Sequence, residues 1–426
     1  MKERRTKSGW AWIPSLYFAE GLPYVIVMTV AVIMYKRLGL SNSDIALYTS
    51  WLYLPWVIKP FWSPTVDLLK TKRWWIVTMQ LVIGAGLAGV AFSIPTTHFV
   101  QYTLAFFWLM AFSSATHDIA ADGFYMLGLT DGDQAYFVGI RSSFYRVAMI
   151  SGQGLLVIVA GYFENLTGNI AQAWSITFGG ITVLFLSLCL FHKIILPRPS
   201  ADRQGSVANG KQLFIEFFKT FKSYYQKPNF WPALAFMLFF RMGEAQLVKL
   251  ASPFMLDAIE EGGLELTTAQ VGLIYGTIGI IALTLGGIAG GVLTSKYGLR
   301  RWIFIMAIAM NLPNVVYIFL AWFTPQNIWL ISSAVAIEQF GYGFGFTAYL
   351  LFLIYFSDGK HKTAHYAIST GVMAIGMMLP GMVSGWIQES VGYLNFFIWV
   401  MLCTIPGFVL IRYLNINPTF GIKKKS

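Results

Sequence analysis

Six charged side chains, Asp118, Asp122, Arg146, Arg241, Glu244 and Glu338, lie in stretches of sequence that are otherwise apolar. A charge at bilayer depth costs about 3 kcal/mol or more, and it persists where it faces a protein interior, a partner or a water-filled path. Asp118 and Asp122 are four residues apart, so on a helix they diverge by about 40° and share a face. Two carboxyl groups so placed in a low dielectric can take up and release a proton; either could equally hold a neighbouring helix. Arg241 and Glu244 are three apart, about 60°, close enough to pair. That pair can stay closed as an intrahelical salt bridge. It can also open, the guanidinium going to a substrate carboxylate or phosphate and the acid taking a proton, because the planar fork of Arg binds an oxyanion bidentately. Arg146, in the fifth span, is the second candidate anion ligand. Glu338 is a further proton candidate or a helix cap. Glu20, beside Gly21 and Pro23, is placed to touch a substrate or to satisfy a kinked helix. Tyr145 and Tyr342 lie in the same spans as Arg146 and Glu338, where a sugar face could stack on them.

The elements that must carry these residues are membrane helices. Of the 426 residues 56% are hydrophobic and 12% charged, with a mean hydropathy of +0.61, whereas soluble domains carry about 25% charged residues. The apolar stretches exceed the ~20 residues that cross a bilayer as helix. Barrel-type alternation is absent, which leaves helices as the spanning form. Twelve spans are expected, at 9–35, 43–68, 74–94, 99–128, 134–163, 171–196, 229–258, 268–295, 301–323, 327–357, 363–389 and 393–414. The fold class is therefore an all-α integral membrane protein.

A net charge of +11 would suit a nucleic-acid partner, but its placement argues for topology instead. If the spans alternate, 23 Lys and Arg residues fall on one side, at the N-terminus, after the even-numbered spans, in the central connection and at the C-terminus, against Lys36 and Arg37 opposite. The positive-inside rule then puts both termini in the cytoplasm. Glu20 and Pro23 inside the first apolar stretch argue against a removable signal peptide. Cys189 and Cys403 sit in apolar spans and suggest neither a disulfide framework nor a metal site.

Residues 197–228 form the long polar stretch of the chain, in which Phe214, Phe217, Phe218 and Phe221 recur at helical spacing among lysines, as in a helix lying on a membrane surface. This connection divides the chain into bundles at 1–196 and 229–426, and the two halves repeat one another. SPTVDLLKTKRW at 63–74 answers GVLTSKYGLRRW at 291–302 at constant offset, and GYFENLTG from Gly161 answers GWIQESVG from Gly385. Asp67, Lys72 and Arg73 in the first copy, and Arg300 and Arg301 in the second, fit a cytoplasmic latch; Ser295 stands where the second copy would need its acid. As plain positive-inside anchors they need no latch at all.

Parallel six-helix repeats with a long central loop resemble the major facilitator superfamily, whose halves rock about a site near the midplane. A narrower resemblance runs along nearly the whole chain. FAEGLPY at 18–24, LPWVIKPFWSPTVD at 54–67, SSATHDIAADGFY at 113–125 with His117 where Gln is usual, FRMGEA at 240–245, EQFGYGFG at 338–345, AHYA at 364–367 and PGMVSGW at 380–386 are similar to the AmpG-type muropeptide permeases and the related acetyl-CoA transporters. The resemblance implies a secondary transporter of a bacterial inner membrane, working as a monomer. Its partners would be protons, the lipid bilayer and a small anionic substrate such as an anhydro-muropeptide, without nucleic acid. An acidic sugar, a nucleotide-like compound or an acyl-CoA is the alternative cargo, and a non-transporting receptor the alternative class.

Enzyme signatures are missing: there is no Walker-type phosphate loop and no Cys/His cluster at metal spacing, so neither cofactor nor metal is expected. The charge asymmetry generates a direct test. A cysteine placed near Asn209 should react with an impermeant maleimide only when the cytoplasmic face is exposed; labelling from outside intact cells would break the twelve-span topology.

Overall fold

The computed structural model describes residues 9–129, 131–200, 202, 215, 218–219, 221–359 and 362–422. Among them every regular element is helical, as expected where long apolar runs must satisfy their own backbone. In chain order the spans are α1 (Ile13–Arg37), α2 (42–69), α3 (Lys72–Ser93), α4 (Phe99–Gly128), α5 (131–167), α6 (Ile170–Ile195), α7 (230–256), α8 (Thr268–Tyr297), α9 (Leu299–Phe323), α10 (Ile328–Phe356), α11 (362–391) and α12 (393–411).

Nine helices among the described residues are long and apolar enough to cross a membrane unaided. The last of these, His365–Ile411, holds two spans. The chain turns between them at Gly392, φ 76° and ψ 166°, without an intervening loop, a conformation that only glycine adopts cheaply. The spans α2 and α7 fall short of that length because turns at 52–53 and 240–241 interrupt them. All twelve expected spans are therefore present, with ends shifted by a few residues. The surface helix expected around Phe214 and Phe217 lies largely outside the described residues.

Helix starts follow local chemistry. The side chains of Ser41, Thr71, Asn169 and Asn327 each accept a backbone N–H two or three residues on, and Thr267 with Gln270 forms a capping box. Three spans contain a wider π turn, at Ile26–Val30 in α1, Ile150–Leu156 in α5 and Gly272–Gly279 in α8.

The chain groups into two compact units, Met1–Ala31 with Ile58–Glu216, and Val32–Val57 with Phe217–Ser426. In the first, α3 packs on α4 and α6, and α1 packs on α5. Its core gathers Trp12, Ile13, Tyr17, Val66, Ile76 and Phe124. Gly21 lets α1 approach α5 closely, since a Cβ there would come 3.0 Å from the Tyr145 carbonyl oxygen. In the second unit α10 packs on α8 and α9, and α7 and the 42–51 helix both pack on α11. Phe240 stacks on Tyr349 with ring centroids 5.3 Å apart and planes within 4°. Large apolar residues such as Phe92 (80% exposed), Trp231 and Trp329 face outward, the inverse of a water-soluble surface and the pattern of a lipid-facing one.

The contact of α8 with α10 depends on absent side chains. A Cβ on Gly343 would overlap the carbonyl oxygen of Leu283, and one on Gly286 that of Phe340, whereas one on Gly291 meets nothing within 4 Å. Such backbone contact is typical of small-residue membrane interfaces. Gly343→Ala should cost about 1–3 kcal/mol through overpacking, read as a lower melting temperature in detergent. Gly291→Ala should melt at or above the wild-type temperature, and equal melting of the two variants would mean the interface is looser than described.

Candidate functional site

Within the first unit the acids of α4 are held by cations from two other helices. Lys59 of α2 forms an ion pair with Asp118. Arg141 of α5 lies 3.0 Å from the Asp122 carboxylate, and its guanidinium covers the rings of Tyr17 and Tyr125 at 4.7 and 5.1 Å. The Tyr17 hydroxyl accepts from Arg141 at 3.0 Å and donates to Asp122 at 3.2 Å. Glu20 is buried on α1 with Oε2 lacking any partner. The two aspartates share a face of α4, as their spacing on one continuous helix requires. Arg146 and Tyr145 follow Arg141 on the same helix, both half-buried.

A second polar line runs behind this cluster. The buried imidazole of His117 bonds the Gln80 amide at 3.0 Å, Gln80 bonds His192 at 3.0 Å, and His192 reaches Ser15 at 3.0 Å. This ties α4, α3, α6 and α1 together. Gln80 and His192 gave no motif in the sequence; each is one polar residue in an apolar helix, and only the fold shows that they meet.

In the second unit the spacing-based pair of Arg241 with Glu244 is not made. Arg241 falls at the break in α7, with φ −104° and ψ 15°, so its side chain does not follow the helical periodicity that would aim it at Glu244. It instead donates to the Tyr342 hydroxyl of α10 and lies 4.5 Å over the Phe346 ring. Glu244 is 1% exposed and neither carboxylate oxygen has a hydrogen-bond partner. Glu338 is fully buried in mid-helix, not at a helix start. One of its oxygens accepts from Gln339 at 3.0 Å and from Tyr317 at 3.5 Å, and the other has no partner. Asn311 and Asn314, at the break in α9, add further buried amide atoms without partners. Lys249 of α7, absent from every motif above, is buried here too.

The 32–57 segment is tied into the second unit by polar contacts that no motif announced. Lys36 pairs with Asp257. The Asn42 amide donates to Gln388 at 2.7 Å and to Tyr393 at 2.8 Å, and the Tyr393 hydroxyl donates to Asp257 at 2.6 Å.

Of the latch residues, the Asp67 side chain lies outside the described residues. The backbone N–H groups of Lys72 and Arg73 donate to Asp202 at 2.7 and 3.1 Å, an acid that caps the first turn of α3. The Arg73 guanidinium donates to the carbonyls of Leu196 and Lys193 at the end of α6. The Lys72 stem crosses α4 at Gly123. In the second unit the Arg301 guanidinium lies 5.7 Å over the Tyr297 ring, and Arg300 is exposed.

Residues 15–379 match the Major Facilitator Superfamily. Putative transporter AmpG 4 of Rickettsia felis is 26% identical over 414 residues, covering 94% of this chain and 95% of that protein. The anhydromuropeptide permease of Escherichia coli K12 is 23% identical over 424 residues, covering 95% of this chain and 81% of that protein. Among solved structures, the nucleoside transporter NupG has a TM-score of 0.70 at 15% identity over 95% of this chain and 99% of that one. A POT family transporter in complex with 5-aminolevulinic acid has the same score at 10% identity over 96% of each chain. At these identities the structures speak for the fold.

The paired acids generate a ranking. Asp118→Asn leaves the Lys59 ammonium, 26% exposed, without its counter-charge and should cost about 3 kcal/mol. Asp122 is 43% exposed, so the loss of its pair should cost about 1 kcal/mol or less after solvent screening. Asp118→Leu combined with Lys59→Met should cost less than the sum of the single changes. Thermal melts in detergent read all of these, and an Asp122→Asn protein less stable than Asp118→Asn would reverse the assignment.

Proposed function

Since the chain belongs to the major facilitator superfamily, a family of membrane transporters, we propose that it is a proton-coupled importer of an anionic amino-sugar compound such as an anhydro-muropeptide. The observation that carries this reading is Glu244, a carboxyl group buried without a single hydrogen-bond donor one helical turn from the buried guanidinium of Arg241. An ionised carboxylate so placed is costly, and a proton or a substrate donor removes that cost. An acid whose preferred protonation state depends on what else occupies the site is what couples a proton to a solute. The full-length likeness to an anhydromuropeptide permease supports the cargo class.

In this reading Glu244, Glu338, Asp118 and Asp122 are the proton-coupling candidates. Arg146 and Arg241 contact the substrate's negative charge, with Glu20, Tyr145 and Tyr342 beside them. Asp67, Lys72, Arg73, Arg300 and Arg301 act at the cytoplasmic turns, both termini are cytoplasmic, and the bundles 1–196 and 229–426 are the moving halves joined by 197–228. The basic turns of both halves then lie on one side of the membrane, as the positive-inside rule requires.

Glu244 is the cleaner of two test positions, because an amide there breaks no existing bond. Glu244→Gln should fold, bind substrate and lose concentrative uptake into proteoliposomes that carry a proton gradient. Asp118→Asn should do the same if it shares the coupling. Arg146→Lys and Arg241→Lys should each weaken binding about ten- to a hundredfold, since the ammonium keeps the charge but not the bidentate fork. Gradient-driven accumulation by both amide variants at the wild-type level sinks proton coupling at these sites; wild-type affinity in both lysine variants sinks the anionic substrate.

A further inference from the structure

Lys249 is 1% exposed, at a position where its ammonium cannot snorkel to water. Its Nζ donates to one neutral acceptor, the Thr49 hydroxyl, at 3.0 Å, and lies 5.0 Å over the Tyr53 ring. No carboxylate among the described residues pairs with it. Of the buried acids of this unit, Glu244 and Glu338 form no ion pair or hydrogen bond with it, and Asp257 is already taken by Lys36. A cation desolvated this far normally has a counter-ion and a full set of acceptors. Here it has neither.

The surroundings resemble an anion subsite more than a strut. Ser50, one residue after Thr49, has a buried hydroxyl with no partner. Gly381 of α11 brings its backbone against both groups, since a Cβ there would lie 2.8 Å from Ser50 Oγ and 3.4 Å from Lys249 Cγ. The Tyr53 ring faces the ammonium from the 42–57 segment that also carries Thr49 and Ser50.

We propose that Lys249 is a specificity-determining residue that contacts the carboxylate of an acidic sugar, exchanging its bond to Thr49 for one to the substrate. This rests on the transport reading above and sharpens it. The ligand must bring an anion that the ammonium can reach, and taking it frees the 42–51 helix from α7 at Thr49. A strut would show the opposite energetics: removing it would weaken the protein, whereas removing an under-compensated buried charge in favour of an apolar chain of similar length strengthens it.

The test uses full-length protein in detergent, with N-acetylmuramic acid and its uncharged relative N-acetylglucosamine as probes, by thermal shift and by titration. Lys249→Met should melt above wild type without ligand, and should lose at least tenfold in affinity for the acid with no change for the neutral sugar. Thr49→Val, which releases the ammonium, should bind the acid more tightly than wild type. A Lys249→Met protein that melts below wild type, or one that binds the acid within twofold of wild type, overturns the proposal. Failure of the substrate reading shows differently: wild type then gains nothing from the acid, while Lys249→Met still melts higher.

Discussion

The absence of water in the bilayer interior is the constraint from which the rest of this structure follows. Every backbone amide must be satisfied within its own segment, which makes the spans helical. Every side-chain charge must find a partner inside the protein or remain costly. The two units answer the second demand differently. In the first, Asp118 and Asp122 have cations from α2 and α5. In the second, Glu244, Glu338 and Lys249 are more deeply buried and have no oppositely charged partner among the described residues. A polar group that pairs with its own protein stabilises the fold. One that does not stays costly until something that arrives pairs with it.

The same constraint explains which parts were legible in the sequence. Apolar length and turn residues sufficed for twelve spans, because hydropathy alone decides what a bilayer accepts. Even so, α2 and α7 are broken and α11 runs into α12, since turns at 52–53 and 240–241 and a single glycine at 392 carry no hydropathy signal. Helical spacing correctly put Asp118 and Asp122 on one face. It misled at Arg241 and Glu244, where the break at 240–241 turns the guanidinium toward Tyr342.

Partners far apart in the chain were not readable at all. Asp202 capping α3, Asp257 receiving Tyr393 and Lys36, and the line from His117 through Gln80 to His192 each join residues from separate elements. Periodicity says which face a residue occupies; it is silent on which helix that face meets. Lys249 went unnoticed for a related reason. One lysine in an apolar helix reads as a snorkelling residue until the surrounding helices are seen to enclose it.

The π turns in α1, α5 and α8 have a consequence for how these helices tolerate change in length. A π turn carries one more residue than the α turn it replaces, so residues beyond it are rotated by about 100° relative to an uninterrupted helix. In α5 the turn at Ile150–Leu156 separates Arg141, Tyr145 and Arg146 from the segment around Gly161. Deleting one residue there would let the helix close into regular α geometry while everything downstream kept its place and its facing. Such a span can absorb a single-residue insertion or loss as a local swelling, keeping its ends anchored, where a strictly regular helix would have to rotate one half of its surface out of its packing.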